Sequence, residues 1–232
     1  FTESAAEYGL NDPGFSTHAS FFDYDKDGDL DVYILNNSFQ AIGSFNLKKN
    51  ERPVRDALGG DKLMENQNGK FVDVSEKAGI YGSVIGFGLG ITVGDVNNDG
   101  WEDIYISNDF FERDYLYINQ QNGTFSEQLT EQMMSISGAS MGADIADINN
   151  DGWKDIFVSN DYITTDLLWI NNKNGTFTDK AAEYFKHTSY SAMGNDVGDI
   201  NNDGLPDIIE LDMNPEDNFR KKTMLNPNNY QN

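Results

Sequence analysis

The sequence predicts an all-β chain of short, four-stranded antiparallel units stacked around an axis, and three recurring landmarks predict it. An acidic stretch occurs four times: "DYDKDGDLDVY" from Asp23, "DVNNDGWEDIY" from Asp95, "DINNDGWKDIF" from Asp147 and "DINNDGLPDII" from Asp199. The last three copies start 52 residues apart. A Gly-x-Phe turn recurs at Phe71, Phe125 and Phe177, and ahead of it stand "DKLMEN", "DYLYIN" and "DLLWIN". The runs between these landmarks are short and bounded by Gly, Asn and Asp, the punctuation of strands and turns. One small sheet cannot cover both of its faces, so neighbouring units must supply the missing layers.

Taken in order, residues 1–22 read as the end of a preceding blade, with Phe1 in "FTESAAEYGL" in the place of the later Gly-x-Phe residues, inside a last strand. Units follow at 23–94, 95–146 and 147–198, and an incomplete one at 199–232. Within a unit, "MGADIADIN" is a strand entering the acidic loop and "WKDIFVSND" a strand leaving it. "DLLWINN" is a third strand and "GTFTDKAAE" a fourth, entered through an Asn-Gly or Gly-Lys turn. In the second strand Ile156 and Val158 share one face and Phe157 takes the other. The first unit is longer by an insertion at 39–60 carrying Lys48, Lys49, Arg52 and Arg55. It reads either as a blade-edge loop whose charges pair with acidic surroundings, or as a contact site. With three complete loop-to-loop units, the chain is expected to be part of a larger ring and a piece of a longer protein.

Composition narrows the chemistry. Hydrophobic residues make up 38% of 232, with 15 Phe, 11 Tyr and 3 Trp, enough for a substantial core. A formal net charge of -23 argues against nucleic acid and anionic membranes as partners, unless many carboxylates are metal ligands and the number overstates the real charge. No apolar run approaches transmembrane length, and no basic, apolar leader opens the chain, so a signal peptide is absent or removed. The absence of cysteine removes disulfides, thiolate zinc sites and iron–sulfur clusters. His18 and His187 lack spaced partners, which argues against a zinc hydrolase.

The acidic loops carry the chemistry. With Asp23 as position 1, positions 1, 3, 5 and 9 are Asp23, Asp25, Asp27 and Asp31, and Gly28 at position 6 permits a tight turn. The corresponding sets are Asp95, Asn97, Asp99 and Asp103; Asp147, Asn149, Asp151 and Asp155; and Asp199, Asn201, Asp203 and Asp207. Position 7 would lend its backbone carbonyl, from Asp29, Trp101, Trp153 and Leu205. The start matches the D-x-[DN]-x-[DN]-G loop of calcium proteins. Position 12 is not Glu and the flanks read as strands, which disfavours a helix–loop–helix site. Hard oxygen donors in a flexible loop favour Ca²⁺ over Zn²⁺ or Mg²⁺, with about one ion per loop. The ions are expected to be structural, because crowded carboxylates repel until a cation neutralises them.

These loops resemble FG-GAP/VCBS-type repeats, the calcium-bearing blades of integrin alpha-subunit propellers and many bacterial surface proteins. "NNDGWEDIYISNDF", the "LYIN…NGTF" pair and "LGGDKLMENQNGKFVDVSEKAG" look closer to the bacterial VCBS and ASPIC/UnbV-associated group. The tail "LDMNPEDNFRKKT" resembles an extension in large propeller proteins of Bacteroidetes-like bacteria. The resemblance covers nearly the whole chain. It implies a β-propeller of seven or more blades in the parent protein, the four ligand sets above, and a place outside the cell or on the bacterial outer-membrane surface. "FGLGITVGD" from Phe87 keeps the FG of the family signature but not the later GAP, which weakens an inference towards integrin-like adhesion.

Other residues have plainer readings. Asn108, Asp109, Asn160 and Asp161 follow the outgoing strand and either line a ligand face or cap turns. Asp144 and Asp196 could form an inner rim near the axis. Trp101 and Trp153 are expected in blade packing, and Trp169 with Tyr117 in the core. Asn36, Asn122 and Asn174 match the glycosylation pattern, although Asn-Gly has a sufficient reason in the hairpin turn. No nucleophile elbow or phosphate-binding loop is present. The reading is a calcium-stabilised, non-enzymatic module that binds a protein partner or surface complex outside the cytoplasm. Carbohydrate binding is one alternative, and a secreted hydrolase or lyase with catalytic residues elsewhere is another.

Overall fold

The computed structural model describes residues 1–40, 49–110, 112–134, 138–161, 164–213, 217 and 219. Three four-stranded antiparallel sheets follow one another along the chain. The first holds β1 (Ser16–Phe22), β2 (Asp31–Asn36), β3 (Lys62–Asn66) and β4 (Phe71–Asp73), hydrogen-bonded in that order. The second holds β5 (Gly88–Gly94), β6 (Asp103–Asn108), β7 (Tyr115–Asn119) and β8 (Phe125–Glu127). The third holds β9 (Ser140–Ala146), β10 (Asp155–Asn160), β11 (Leu167–Asn171) and β12 (Phe177–Asp179). A fourth sheet pairs β13 (Ala192–Gly198) with β14 (Asp207–Asp212). Each sheet thus takes its first strand from ahead of its acidic loop, which joins that strand to the second.

The sheets pack face to face as blades. Their first strands run side by side, β1 on β5, β5 on β9 and β9 on β13. Glycine permits that approach: a Cβ on Gly90 would lie 3.2 Å from Gly142 Cα, and one on Gly142 would lie 3.4 Å from Gly194 Cα. The second strands are sandwiched, so all six residues of β2, β6 and β10 are buried. Alternation then divides each strand between two cores. Ile104 and Ile106 join Tyr33, Leu35, Tyr115 and Tyr117 between the first and second sheets. Tyr105 on the opposite face joins Ile156, Val158, Leu167 and Trp169 between the second and third. Phe157 turns to a further cluster with Leu168 and Ile208 beside the fourth sheet. The expected division of Ile156 and Val158 from Phe157 is what the strand does, and Tyr117 and Trp169 are buried core residues.

Two sequence expectations need correction. The stretch "GTFTDKAAE" is not one strand: β12 stops at Asp179 and a short helix (Ala181–Tyr184) follows. The cause recurs in each of the three four-stranded sheets. An acidic side chain at the strand's end captures the N–H two residues on, from Ser75 to Asp73 Oδ1 at 3.0 Å, Leu129 to Glu127 Oε1 at 2.9 Å and Ala181 to Asp179 Oδ1 at 3.0 Å. That bond turns the chain out of the ladder. Phe1 likewise lies in no strand and is exposed, and the helix α1 (Ala5–Tyr8) follows it. Gly9 closes α1 against β4 as Gly79 closes α2 (Ser75–Ala78) against β8; a Cβ on either would come within 2.7 Å of the carbonyl oxygen of Phe71 or Phe125.

The described part of the insertion is tied down. Arg52 forks onto the buried Glu112 carboxylate of the second blade, and Arg55 Nη1 donates to Ile80 O at 2.8 Å. Backbone bonds from Val84 to Val54 O and from Asp56 to Gly82 O hold the same segment. Lys48 lies outside the described residues, as does the tail beyond Met213 apart from Asp217 and Phe219. Among the described residues, no helix is long and apolar enough to cross a membrane.

Candidate metal centre

All four acidic loops fold alike. Position 4 adopts the left-handed conformation (Lys26 φ 61°, Asn98 φ 55°, Asn150 φ 57°, Asn202 φ 61°), as does the glycine at position 6, with φ 96° at Gly28. Asn tolerates that region better than most side chains, which accounts for its use in three of the four loops. The curl points positions 1, 3 and 5 inward, where their oxygens accept backbone N–H groups. In the second loop Asp95 Oδ1 and Asn97 Oδ1 accept from Asp99 N at 3.1 and 2.9 Å, and Asp95 Oδ2 accepts from Gly100 N at 2.7 Å. Asp99 Oδ1 accepts from Trp101 N at 2.8 Å. The third loop repeats these bonds with Asp147, Asn149 and Asp151, and the fourth with Asp199, Asn201 and Asp203.

The first loop differs in one bond. Gly28 N donates to Asp23 Oδ2 at 3.1 Å, but Asp23 Oδ1, the counterpart of the Asp95 atom that accepts from position 5, is shielded from solvent and has no hydrogen-bond partner. One carboxylate oxygen each from Asp23, Asp25 and Asp27 lies within 4.8 Å of the others. Burial, with the charge of Asp27 beside it, raises the Asp25 carboxyl above its ordinary range. An orphaned, shielded oxygen inside a trio of hard donors fits a divalent cation. In the other loops an Asn amide oxygen stands where the first has Asp25. Asp29, expected to offer only its carbonyl, also holds a shielded side-chain oxygen with no hydrogen-bond partner.

The position-9 carboxylates lie deeper and clamp the loop to the sheet. Asp31 accepts from Tyr24 N and Asn66 N, Asp103 from Val96 N and Asn119 N, Asp155 from Ile148 N and Asn171 N, and Asp207 from Ile200 N. Burial raises Asp31 to about 6 and Asp103 to about 7, against the pull of those N–H donors, and neighbouring loop aspartates add to the rise. A carboxylate offers about four lone-pair sites, so two N–H bonds leave room for an ion.

Sequence reasoning passed over two sets of residues in the "DxLxxN" landmark. The first is its opening aspartate. Asp61 accepts from Asn36 N at 3.0 Å and Tyr33 Oη at 3.0 Å; Asp114 accepts from Asn108 N at 2.8 Å and Tyr105 Oη at 2.7 Å; Asp166 accepts from Asn160 N at 2.9 Å. All three are buried. The second is its closing asparagine. Asn119 Nδ2 donates to Tyr24 O at 2.9 Å and Asn171 Nδ2 to Val96 O at 2.7 Å, each reaching from its own blade into the acidic loop of the blade before. The threefold repetition of both residues was the available signal.

Asn108 and Asn160 serve backbone groups, as capping would require: their Nδ2 atoms donate to Arg113 O at 3.0 Å and Thr165 O at 2.8 Å. Asp144 accepts the Val197 N–H of the neighbouring first strand at 2.8 Å. Asn36 is buried, while Asn122 and Asn174 are exposed at hairpin turns and accept from Thr124 and Thr176. Trp101 and Trp153 correct an expectation. They are half-buried at the loop rim and belong to none of the core clusters, because position 7 lies at the loop exit and not on a sheet face. Lys26 Nζ stands 4.6 Å over the Trp101 ring, linking the first loop to the second.

Comparison with known proteins agrees with this repeated loop-and-blade plan. Residues 95–158 and 147–209 match the FG-GAP-like repeat, so the chain contains an FG-GAP repeat region. It is also distantly similar to integrin alpha subunits. A stretch of 119 residues is 32% identical to mouse integrin alpha-3, covering 46% of this chain and 11% of that protein. A stretch of 139 residues is 34% identical to human integrin alpha-6, covering 53% of this chain and 12% of that protein. The chain therefore spans about an eighth of the length of the relatives it matches. A solved structure concerned with an Agrocybe aegerita lectin and its recognition of non-reducing terminal N-acetylglucosamine aligns over 69% of this chain and 36% of its own, at 16% identity and a TM-score of 0.38, too slight a likeness to bear on fold or ligand.

Proposed function

We propose that the chain is a calcium-stabilised, non-enzymatic interaction module of a protein acting outside the cytoplasm, with one Ca²⁺ in each acidic loop. The observation that carries the reading is the shielded, unpartnered Asp23 Oδ1 beside the inward oxygens of Asp25 and Asp27. In this reading the side-chain ligands are Asp23, Asp25, Asp27 and Asp31; Asp95, Asn97, Asp99 and Asp103; Asp147, Asn149, Asp151 and Asp155; and Asp199, Asn201, Asp203 and Asp207. Asp29, Trp101, Trp153 and Leu205 add backbone carbonyls. A bound ion would supply the positive charge that lets the carboxylates stay ionised at close quarters.

Likeness to integrin alpha subunits over about half of the chain supports a protein partner and an extracellular setting, where Ca²⁺ is abundant enough to fill modest sites. The finer kinship, with bacterial VCBS and ASPIC/UnbV-associated propellers on an outer-membrane surface, rests on the sequence patterns alone. Calorimetric titration of decalcified protein with CaCl₂ tests the metal reading. Saturable binding of about four ions is expected, and the absence of any binding heat at several temperatures contradicts it. Binding to a surface polysaccharide on a glycan array would replace the protein-partner reading with a carbohydrate one.

A further inference from the structure

Adjacent acidic loops are wired to each other through single residues. Asn119 donates its backbone N–H to Asp103, position 9 of the second loop, at 2.8 Å, and its side-chain Nδ2 to Tyr24 O, position 2 of the first, at 2.9 Å. Asn171 repeats the arrangement one blade on, with its N–H on Asp155 of the third loop at 2.9 Å and its Nδ2 on Val96 O of the second at 2.7 Å. Both asparagines are buried, 2% and 5% exposed, so water does not compete for these bonds. At the rim a second link parallels each relay. Asn98 Nδ2, at position 4 of the second loop, donates to Gly152 O of the third at 3.0 Å, and Lys26, at position 4 of the first, lies over Trp101 of the second. Gly152 O belongs to the peptide whose N–H, on Trp153, is held by Asp151 Oδ1 at 3.0 Å.

Resting on the calcium reading above, we infer that the first three loops bind cations cooperatively, with Asn119 and Asn171 as the positioning residues that couple them. A cation that fixes one loop's position-9 carboxylate also fixes the asparagine backbone on it. The same asparagine then holds the neighbouring loop in its closed curl. The second ion consequently meets a loop whose ordering cost has already been met.

Terbium luminescence provides a loop-specific readout, since Tb³⁺ replaces Ca²⁺ at oxygen sites and is sensitised by a nearby indole. In a Trp153→Phe background the signal lost on further Trp101→Phe substitution reports the second loop. Disabling the third loop with Asp147→Asn and Asp151→Asn should raise the Tb³⁺ midpoint of the second loop by at least about fivefold. With the third loop intact, Asn171→Ala should raise it in the same direction. Asn98→Gly, which keeps the left-handed backbone and alters only an exposed side chain, should shrink the effect of disabling the third loop. A Ca²⁺-displaceable signal whose midpoint ignores the state of the third loop overturns the coupling and leaves the calcium reading intact. No Ca²⁺-displaceable signal from any loop overturns the calcium reading, and the coupling with it.

Discussion

Asp61 shows how much a single buried carboxyl can report. It is 6% exposed, accepts from Tyr33 and Asn36, and burial raises it to about 7 even though Arg55 and the two hydrogen bonds favour the charged form. In the unfolded chain it returns to an ordinary value near 3.8. The folded state therefore holds the proton between those values and the unfolded state releases it. The contribution is fully present below about 3.8 and is lost as pH rises through about 7. Asp61→Asn should remove this slope. Urea midpoints of the wild type minus those of the variant are predicted to fall from pH 5 to pH 8; a difference that is flat, or that rises with pH, contradicts the assignment. The residue was visible in the sequence only as the first letter of "DKLMEN". Its partners lie about 25 and 28 positions away, on another strand, and no local pattern carries that distance.

At the scale of the element, alternation and turn chemistry were legible and chain-reversing bonds were not. Period-2 patterning put Ile156 and Val158 on one face of their strand and Phe157 on the other, and Tyr117 and Trp169 lie in the core as expected. The short helices after the fourth strands were missed because "TDKAAE" suits a strand edge as well as a helical turn, and the deciding bond from Ala181 to Asp179 is a matter of geometry. Trp169 fills the space between the second and third sheets, 2% exposed against Tyr105, Ile156 and Phe177. Trp169→Ala should lower unfolding free energy by about 3–5 kcal/mol, the range for emptying a large aromatic site. Guanidinium denaturation measures it, and a loss below about 1 kcal/mol would show that the two blades are not packed around this ring.

For the whole molecule, the acidic loops and the cores between blades form one mechanical unit. Each loop joins the first strand of its sheet to the second, and Asn119 and Asn171 tie loops across blades. Sequence spacing located the loops and their candidate donors; it did not show that neighbouring loops touch, because Asn119 and Tyr24 are 95 residues apart. With -23 formal charges and carboxylates gathered at one end of each blade, removing the cations should loosen every blade junction together. The most direct test is thermal unfolding of the whole chain in excess Ca²⁺ and again in excess EDTA. Each site filled at about a hundredfold its dissociation constant adds about 2.7 kcal/mol. The melting temperature should therefore fall by at least about 10 °C in EDTA. Superimposable melting curves in Ca²⁺ and EDTA would contradict the account.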